Sequence, residues 1–176
     1  MIKDFLSYLL SLETQGIKLG LDRTYSILSA CDHPENNLKI IQVVGTNGKG
    51  STSAMIANIF KQANYKVGLY TSPHLYKINE RIRVNGKSIS DNNIIEFINI
   101  YHKQIKRFNI SFFEAMTALA LWYFNSQKVD IAILETGLGG RLDSVSACIP
   151  ELVVFTPVSL DHQHILGDTI QEIAIE

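Results

Sequence analysis

The stretch VVGTNGKGSTSA, residues 43–54, decides the fold. It lies between an apolar run and a run with helical spacing, as a phosphate-binding loop lies between a strand and a helix. The strict pattern G-x-x-x-x-G-K-[ST] is not met, because the first glycine comes two positions late and Gly50 separates Lys49 from Ser51. The sequence therefore indicates either a phosphate cradle of another kind or a plain glycine loop.

Three glycines and a lysine give this loop the means to bind an anion. Glycine lets the backbone turn its N–H groups inward, and the following helix adds the positive end of its dipole. Lys49 would contact the terminal phosphates of a nucleotide, and the hydroxyl of Ser51 or Thr52 would ligate the accompanying Mg²⁺. The plainer alternative is a turn whose serine only caps a helix. We favour the phosphate loop because it combines the lysine with a strand and a helix on its two sides.

Strands and helices alternate along the chain. Helical spacing predicts helices at 2–12, 51–64, 90–107 and 111–124. It also predicts a helix that Asp22 could cap and a helix that begins near Asp168. Apolar runs predict strands, the last two of the buried type, at 38–44, 66–72, 129–135 and 151–158. Asn85-Gly86 predicts a hairpin. This order indicates an α/β fold like that of P-loop NTPases, with a mainly parallel sheet and helices on both faces.

In such a sheet, ligands bind beyond the carboxyl ends of the strands. Glu135 ends an apolar strand and precedes three glycines in ETGLGGR. Its carboxylate would suit Mg²⁺, directly or through water. Read alone, such a glutamate is more often a solvated strand end or the partner of a helix N-cap. The G-x-G-x-x-G spacing of a dinucleotide site is absent.

Other polar residues lie at the same edge of the predicted sheet. Asp161, His162 and His164 follow the last strand. Zinc is disfavoured because the cysteines lie elsewhere and no H-E-x-x-H helix is present, and Mg²⁺ prefers oxygen to histidine nitrogen.

Glu114, three residues after Ser111, predicts a capping box, which is a structural role. Arg81 belongs to a polar strand face by its period, or reaches a carboxylate substrate.

Length and composition describe an ordinary globular protein. The 176 residues suit one domain, with 46% apolar and 19% charged residues. A net charge of −1 gives no reason to expect nucleic acid or a membrane surface as a partner. Cys31 and Cys148 are far apart and form no metal motif, so a reducing cytoplasm is indicated. Neither a signal peptide nor a membrane span is predicted.

Several motifs in order give the chain a resemblance over nearly its whole length. It resembles the N-terminal domain of the folylpolyglutamate synthase/dihydrofolate synthase family, relatives of the Mur ligases. In that family GTNGKGS is the phosphate loop, which accounts for the unusual spacing. The matching blocks are GIKLGLDR (16–23), GTNGKGS (45–51), LYTSPHL (69–75), NERIRVNG (79–86), FFEAMTALALWYF (112–124), LETGLGGRLD (134–143) and LDHQHILGDTI (160–170).

The resemblance implies an ATP-dependent amide ligase of folate biosynthesis. ATP would phosphorylate the carboxylate of dihydropteroate, or of the glutamate tail of a folate. The amine of L-glutamate would then attack the acyl phosphate, which leaves an amide, ADP and phosphate. The protein would supply positioning and neutralise the charge of the transferring phosphoryl group.

The resemblance also implies roles for residues of this sequence. ATP phosphates would be held by Gly45, Thr46, Asn47, Gly48, Lys49, Gly50, Ser51 and Thr52. The catalytic residues would be Lys49, Glu135 and His162. Two Mg²⁺ ions would lie among Ser51, Ser72, Glu135 and His162. The substrate cleft would be lined by Ser72, Pro73, His74, Asn79 and Arg81.

The chain departs from the family pattern in two respects. Residues 144–146 read SVS where the family usually has A-T-N or S-T-N, near the cleft. The resemblance also places a metal-binding lysine just after Glu176, and a Rossmann-like C-terminal domain that closes over ATP. We therefore expect residues 1–176 to be one N-terminal ATP-binding domain, incomplete at its C-terminal end. The alternative function is an inactive remnant that retains phosphate or partner binding, and an unrelated P-loop ATPase fits the motifs less well.

Overall fold

One mixed sheet forms the centre of the molecule. The computed structural model describes residues 2–12, 16, 18 and 20–176, so two positions of the 16–23 block lie outside the described residues. The strands are β1 (Ile40–Val44), β2 (Val67–Tyr70), β3 (Ile82–Val84), β4 (Lys87–Ser88), β5 (Ile131–Glu135) and β6 (Leu152–Phe155). Their order is β4-β3-β2-β5-β1-β6, with β2, β5, β1 and β6 parallel to one another and the β3–β4 hairpin antiparallel at one edge. The predicted α/β class is confirmed.

Helices precede β1, lie between β1 and β2 and between β4 and β5, and follow β6. They are α1 (Ile2–Ser11), α2 (Asp22–Ala30), α3 (Lys49–Gln62), α4 (Asp91–Arg107), α5 (Phe112–Ser126), α6 (Gln163–Leu166) and α7 (Ile170–Ile175). Short 3₁₀ turns occupy Pro34–Asn37, Ile78–Arg81 and Ser144–Ala147. Within the part of the chain that the structure describes, no helix has both the length and the apolar character that a membrane crossing requires.

The two faces of the sheet pack against different helices, as the predicted two-sided arrangement requires. Side chains alternate between the faces along each strand. On one face Ile40, Tyr70 and Leu134 join a large core with buried residues of α1, α2, α4 and α5. On the other face a smaller core packs against α3, with Ile41, Val43, Val67, Leu69 and Ile133.

Helix α5 approaches strand β2 very closely at Gly68. A Cβ atom at this position would lie 2.8 Å from the ring of Phe124, a distance that real side chains do not reach. Phe124 is fully buried and occupies the space that a side chain at Gly68 would fill. The absence of a side chain in the strand is therefore what allows the ring of α5 to contact the sheet directly.

Several local predictions agree with the structure. Val84 pairs with Lys87 across the predicted two-residue turn, so the hairpin is present. Ser90 caps α4 by accepting the N–H of Asn93, and Ser111 forms the predicted capping box with Glu114. The carboxylate of Glu114 also binds Nε of Arg23 at 2.9 Å, although only 3% of the glutamate side chain is exposed. The predicted capping box at Glu114 is therefore confirmed.

Other predictions need correction. Each of the four strands predicted with bounds is shorter in the structure than in the prediction. Asp22 does not cap α2, because it is the first residue of the helix and Leu21 occupies the N-cap position. Strand β6 was predicted to be buried, but Leu152 is 54% and Phe155 is 72% exposed. The reason is that β6 is the edge strand of the described sheet, and the apolar pattern of a strand does not show whether it lies at an edge.

Candidate active site

The glycine loop connects the end of β1 to the start of α3. Helix α3 begins at Lys49, two residues earlier than predicted, because Gly48 adopts a left-handed conformation (φ 82°) and serves as the N-cap. The first hydrogen bond of the helix runs from the N–H of Thr52 to the carbonyl of Gly48, at 2.9 Å. Helix geometry therefore leaves the N–H groups of Lys49, Gly50 and Ser51 without acceptors inside the helix. These groups, at the positive end of the helix dipole, can bind an anion.

The first half of the loop has a different environment. The N–H groups of Thr46 and Asn47 both donate to the carbonyl of Pro157, at 3.0 and 3.3 Å. Gly45 packs so closely on the residue after β6 that a Cβ atom would lie 2.3 Å from Oγ1 of Thr156. Of the eight residues predicted to hold phosphates, the structure thus offers free helix N–H groups only in the second half.

Lys49 lies across the loop. Its ammonium donates to the carbonyl oxygens of Gly45 and Thr46, at 2.8 and 3.1 Å. A lysine ammonium has three N–H donors, so one remains for a ligand. The loop itself therefore holds the charge beside the N–H groups of the helix.

Glu135 and Ser72 lie next to the start of α3. Glu135 is 4% exposed, and its Oε2 accepts the N–H of Ser72 at 3.0 Å. A Cβ atom on Gly50 would lie 3.5 Å from both carboxylate oxygens, so the carboxylate faces the first turn of the helix. Burial raises the pKa of Glu135, while the N–H of Ser72 and the charges of Lys49 and Arg81 act in the opposite direction. The parallel strands β5 and β2 bring these predicted metal residues together.

The oxygen groups near the loop fit Mg²⁺. This ion binds one or two carboxylates and keeps its other positions for phosphate oxygens, hydroxyls and water. Glu135 supplies the carboxylate, and Ser51 and Ser72 supply hydroxyls. Among the described residues, no three His, Cys, Asp or Glu side chains gather into a metal-binding group. The donor set is therefore hard and rich in hydroxyls, which suits Mg²⁺ better than zinc.

His162 lies where two cavities meet. It has a left-handed backbone (φ 48°) at the N-cap of α6, a short helix that the sequence did not predict. Its N–H binds Oδ1 of Asp161 at 2.8 Å, and its ring centroid lies 6.3 Å from that of His164. The side chain is half exposed and lines both cavities. The structure therefore places His162 within reach of ligands in either cavity.

The first cavity, of about 320 Å³, lies beside the glycine loop, and the second, of about 490 Å³, lies on the other side of the 137–138 segment. The first is lined by residues of β1, of the glycine loop, of the turn after β5, of β6 and of α7, among them Gln42, Lys49, Gly140, Phe155 and Ile173. The second is lined by aromatic and polar side chains, among them Ser72, Pro73, Arg81, Phe112, Phe113 and Asp143. The site thus has separate spaces for two ligands.

Arg81 is a buried cation in the wall of the second cavity. Only 5% of the residue is exposed, and its Nε donates to Nδ1 of His74 at 2.9 Å. Its guanidinium lies 5.0 Å from the ring centroid of Phe112. A buried guanidinium whose Nε binds a neutral ring nitrogen keeps other donors for an anionic ligand.

The side chain of Asn79 binds two groups within the protein. Its side-chain nitrogen donates to the carbonyl of Ile89 at 2.9 Å and to Oδ1 of Asp91 at 2.7 Å. These bonds attach the 3₁₀ turn before β3 to the start of α4. Asn79 is not among the residues that line the second cavity.

Asp143, to which the sequence pattern assigned no role, also lines the second cavity. Its Oδ2 accepts the N–H groups of Gly137 and Leu138, at 2.9 and 3.0 Å, and its Oδ1 accepts that of Val145 at 2.9 Å. Burial raises the pKa of this carboxyl to about 6. The available signal was an aspartate just before a serine-rich turn, which is typical of an N-cap.

The segment that departs from the family pattern is built into the interior. Oγ of Ser144 lies 2.6 Å from Oγ1 of Thr117. Nε2 of the buried Gln42 donates to Oγ of Ser146 at 2.6 Å, and this hydroxyl donates to the carbonyl of Gly140 at 2.5 Å. These hydroxyls therefore tie the segment to α5, to β1 and to the glycine turn after β5.

Comparison with known proteins supports the resemblance to the folylpolyglutamate synthase/dihydrofolate synthase family. The dihydrofolate synthase/folylpolyglutamate synthase of Bacillus subtilis (strain 168) is 44% identical over 168 residues, which cover 92% of this chain and 39% of that protein. The apo form of L. casei FPGS superposes with a TM-score of 0.91 at 35% identity, covering 98% of this chain and 44% of that chain. E. coli FolC in complex with DHPP and ADP superposes with a TM-score of 0.88 at 36% identity, covering 98% and 42%.

This chain thus spans about two fifths of the length of each of these relatives. A family model, the Mur ligase middle domain, matches residues 43–175, from the glycine loop to the end of α7. This match includes most of the residues that form the site. The resemblance inferred from the motifs is therefore confirmed: the chain belongs to the Mur ligase middle domain family, and its relatives within that family include folylpolyglutamate and dihydrofolate synthases.

Proposed function

We propose that this chain is the ATP-binding part of an amide ligase that joins L-glutamate to dihydropteroate, to a folylpolyglutamate, or to both. The observation that carries the proposal is the group of free N–H donors at the start of α3, with the ammonium of Lys49 on one side and the carboxylate of Glu135 on the other. A cation, helix N–H groups and a carboxylate around one point suit a phosphate chain with a divalent cation.

The phosphates of ATP would bind at the second half of the glycine loop. The N–H groups of Lys49, Gly50 and Ser51 would contact phosphate oxygens, and the ammonium of Lys49 would turn its remaining donor toward the phosphate that is transferred. Bound Mg²⁺ would neutralise phosphate charge during the transfer. Glu135, Ser51 and Ser72 would hold it, and His162 would lie on the side of the second cavity.

The acceptor would occupy the second cavity. Phe112 and Phe113 offer aromatic surface to a flat ring, and Arg81 offers donors to a carboxylate. Pro73 and Ser72 form the wall nearest to Glu135, while His74 fixes the guanidinium of Arg81. The E. coli relative was solved with DHPP and ADP together, which supports two neighbouring ligands in this chain as well.

The reaction would then need no covalent bond to the protein. A carboxylate oxygen of the acceptor would attack the γ-phosphorus of ATP, ADP would leave, and the acyl phosphate would form. The amine of L-glutamate would attack the acyl carbon, lose a proton, and release inorganic phosphate. Lys49 would neutralise charge at the phosphoryl group, and Glu135 with His162 would orient the metal side of the site.

Domain organisation and location belong to the same proposal. Residues 1–176 would be the N-terminal ATP-binding domain, and closure over ATP would need the Rossmann-like domain that the family resemblance implies. A cytoplasmic location fits the two buried free thiols, Cys31 and Cys148, since such thiols suit a reducing compartment. The alternative, a chain that binds phosphate without ligating, predicts Mg-ATP binding with no glutamate-dependent turnover.

Calorimetric titration with Mg-ATP tests the phosphate site. The Lys49→Ala variant should bind about 10- to 100-fold more weakly, because it loses a charge-assisted hydrogen bond. Lys61→Ala, in the last turn of the same helix, is the matched control and should bind as the wild type does. Failure of the folded wild-type chain to bind, or equal binding by both variants, would contradict the proposal. Glutamate-dependent release of ADP by the full-length protein then tests ligation.

A further inference from the structure

The segment that follows β6, residues 157–159, forms a clasp on the first half of the glycine loop. The carbonyl of Pro157 accepts the N–H groups of both Thr46 and Asn47. The hydroxyl of Thr46 donates to the carbonyl of Ser159 at 3.1 Å, and it accepts the N–H of Ser159 at 3.0 Å. The side-chain amide of Asn47 adds a longer bond to Oγ of Ser159, at 3.4 Å. Five hydrogen bonds therefore join two segments that are more than a hundred residues apart in the chain.

We propose that Thr46 is a positioning residue of the phosphate site: through its paired bonds with Ser159 it holds the loop in the shape that directs the N–H groups of residues 49–51 at a phosphate. This inference rests on the proposed function and deepens it. It also replaces the expectation that Thr46 itself contacts phosphate.

The hydroxyl of Thr46 has no hydrogen left to donate to a phosphate oxygen. A threonine hydroxyl carries one donor hydrogen, which is used on the carbonyl of Ser159. One of its two acceptor lone pairs takes the N–H of the same residue, and phosphate oxygens have no hydrogen to donate to the other. The backbone N–H groups of Thr46 and Asn47 are likewise used on Pro157. Thr46 thus acts on phosphate through the shape of the loop.

The clasp extends the pairing of β1 with β6 beyond both strands. The N–H and the hydroxyl of Thr156 bind the carbonyl of Val44, at 2.8 and 3.1 Å. Gly45 then packs against Thr156 with no room for a side chain. The loop is fixed on one side by this continued pairing and on the other side by α3. A loop that is ordered before the ligand arrives loses less entropy on binding.

Removal of the clasp should therefore weaken nucleotide binding without removing any group that contacts the nucleotide. Thr46→Val keeps the shape of the side chain but breaks both bonds with Ser159. If the binding-competent loop shape is then populated only in part, the apparent affinity falls by that fraction. Two ordinary hydrogen bonds imply a decrease of about tenfold. Thr46→Ser keeps the hydroxyl and should restore most of the affinity.

Two measurements test this role. Calorimetric titration with Mg-ATP compares the wild type, Thr46→Val and Thr46→Ser. The matched control is Thr169→Val, because the hydroxyl of Thr169 also makes two hydrogen bonds, both to Glu172 and neither to the loop. Hydrogen exchange of the Thr46 and Asn47 amides follows the clasp directly. These amides should be protected in the wild type and exchange about tenfold faster in Thr46→Val.

The outcomes separate this inference from the proposed function. Weaker binding by Thr46→Val, restoration by Thr46→Ser and unchanged binding by Thr169→Val support the positioning role. Unchanged binding by a folded Thr46→Val chain, in a protein that Lys49→Ala disables, overturns the role of Thr46 alone. If the wild type binds no Mg-ATP, the proposed function fails. Unprotected Thr46 and Asn47 amides in the wild type would overturn the clasp, even if the valine variant does not fold.

Discussion

Replacement of Asp143 by asparagine is expected to change how the stability of the chain depends on pH. The carboxyl is buried and accepts the N–H groups of Gly137, Leu138 and Val145. Burial opposes ionisation, whereas the three N–H donors favour it. Burial is the larger effect, and it raises the pKa from its ordinary 3.8 to about 6. The folded chain therefore binds this proton more tightly than the unfolded chain does.

The size of the effect follows from this difference in pKa. One pKa unit corresponds to about 1.4 kcal/mol, so the free energy involved is on the order of 3 kcal/mol. Because the folded pKa lies above the unfolded pKa, the contribution is fully present below about pH 4 and is lost as the pH rises through about 6. Asparagine does not ionise, so relative to the wild type Asp143→Asn should gain on the order of 3 kcal/mol between pH 4 and 7.

Urea unfolding at pH 4, 5, 6 and 7, followed by circular dichroism, measures this difference between the two chains. The test is how the difference in unfolding free energy between the two chains changes with pH. Its absolute size is not informative, because the amide also alters the hydrogen bonds to the three N–H groups at every pH. Asp168→Asn, at an exposed position, corrects for the loss of one negative charge at the surface. A wild type that gains stability over Asp143→Asn as the pH rises would show that the N–H donors outweigh burial, and would refute the reasoning.

Gly45→Ala should lower the free energy of unfolding by about 2–5 kcal/mol, because the methyl group meets Thr156 and the backbone has φ 129°. Gly48→Ala, with open space around the Cβ, should lower it by only about 1 kcal/mol, and equal losses in urea unfolding would contradict this. Glu114→Gln should cost about 1–3 kcal/mol by thermal unfolding, because it removes the charge that binds Arg23; a loss below about 0.5 kcal/mol would mean that the pair behaves as an exposed one.

Features that depend on neighbours in the chain could be predicted from the sequence. The Asn85-Gly86 turn and the Ser111–Glu114 capping box each involve a few successive residues, and both are present. The strand, glycine loop and helix around Lys49 were likewise predictable, because the apolar pattern changes from one period to the other there. The start of α3 was not, since Gly48 caps the helix by its backbone and has no side chain to signal it.

Features that depend on distant residues could not be predicted in this way. The division of the glycine loop into two halves arises from Pro157, whose carbonyl reaches the loop only because β6 lies beside β1. The exposure of Phe155 follows from the position of its strand at the edge of the sheet. The side-chain amide of Asn79 binds Asp91, which follows the hairpin in the chain and lies beside the turn that precedes it. Each outcome was decided by tertiary packing.

The contact between Gly68 and Phe124 has a consequence for the way this sequence can evolve. The ring occupies the volume that any larger residue at position 68 would need, so neither position can accept a bulkier side chain unless the other becomes smaller. A lineage that lost the ring would leave a hole in the core, and a gain of side chain in the strand is the natural compensation. Substitutions at the two positions are therefore expected to occur together, although 55 residues separate them in the sequence.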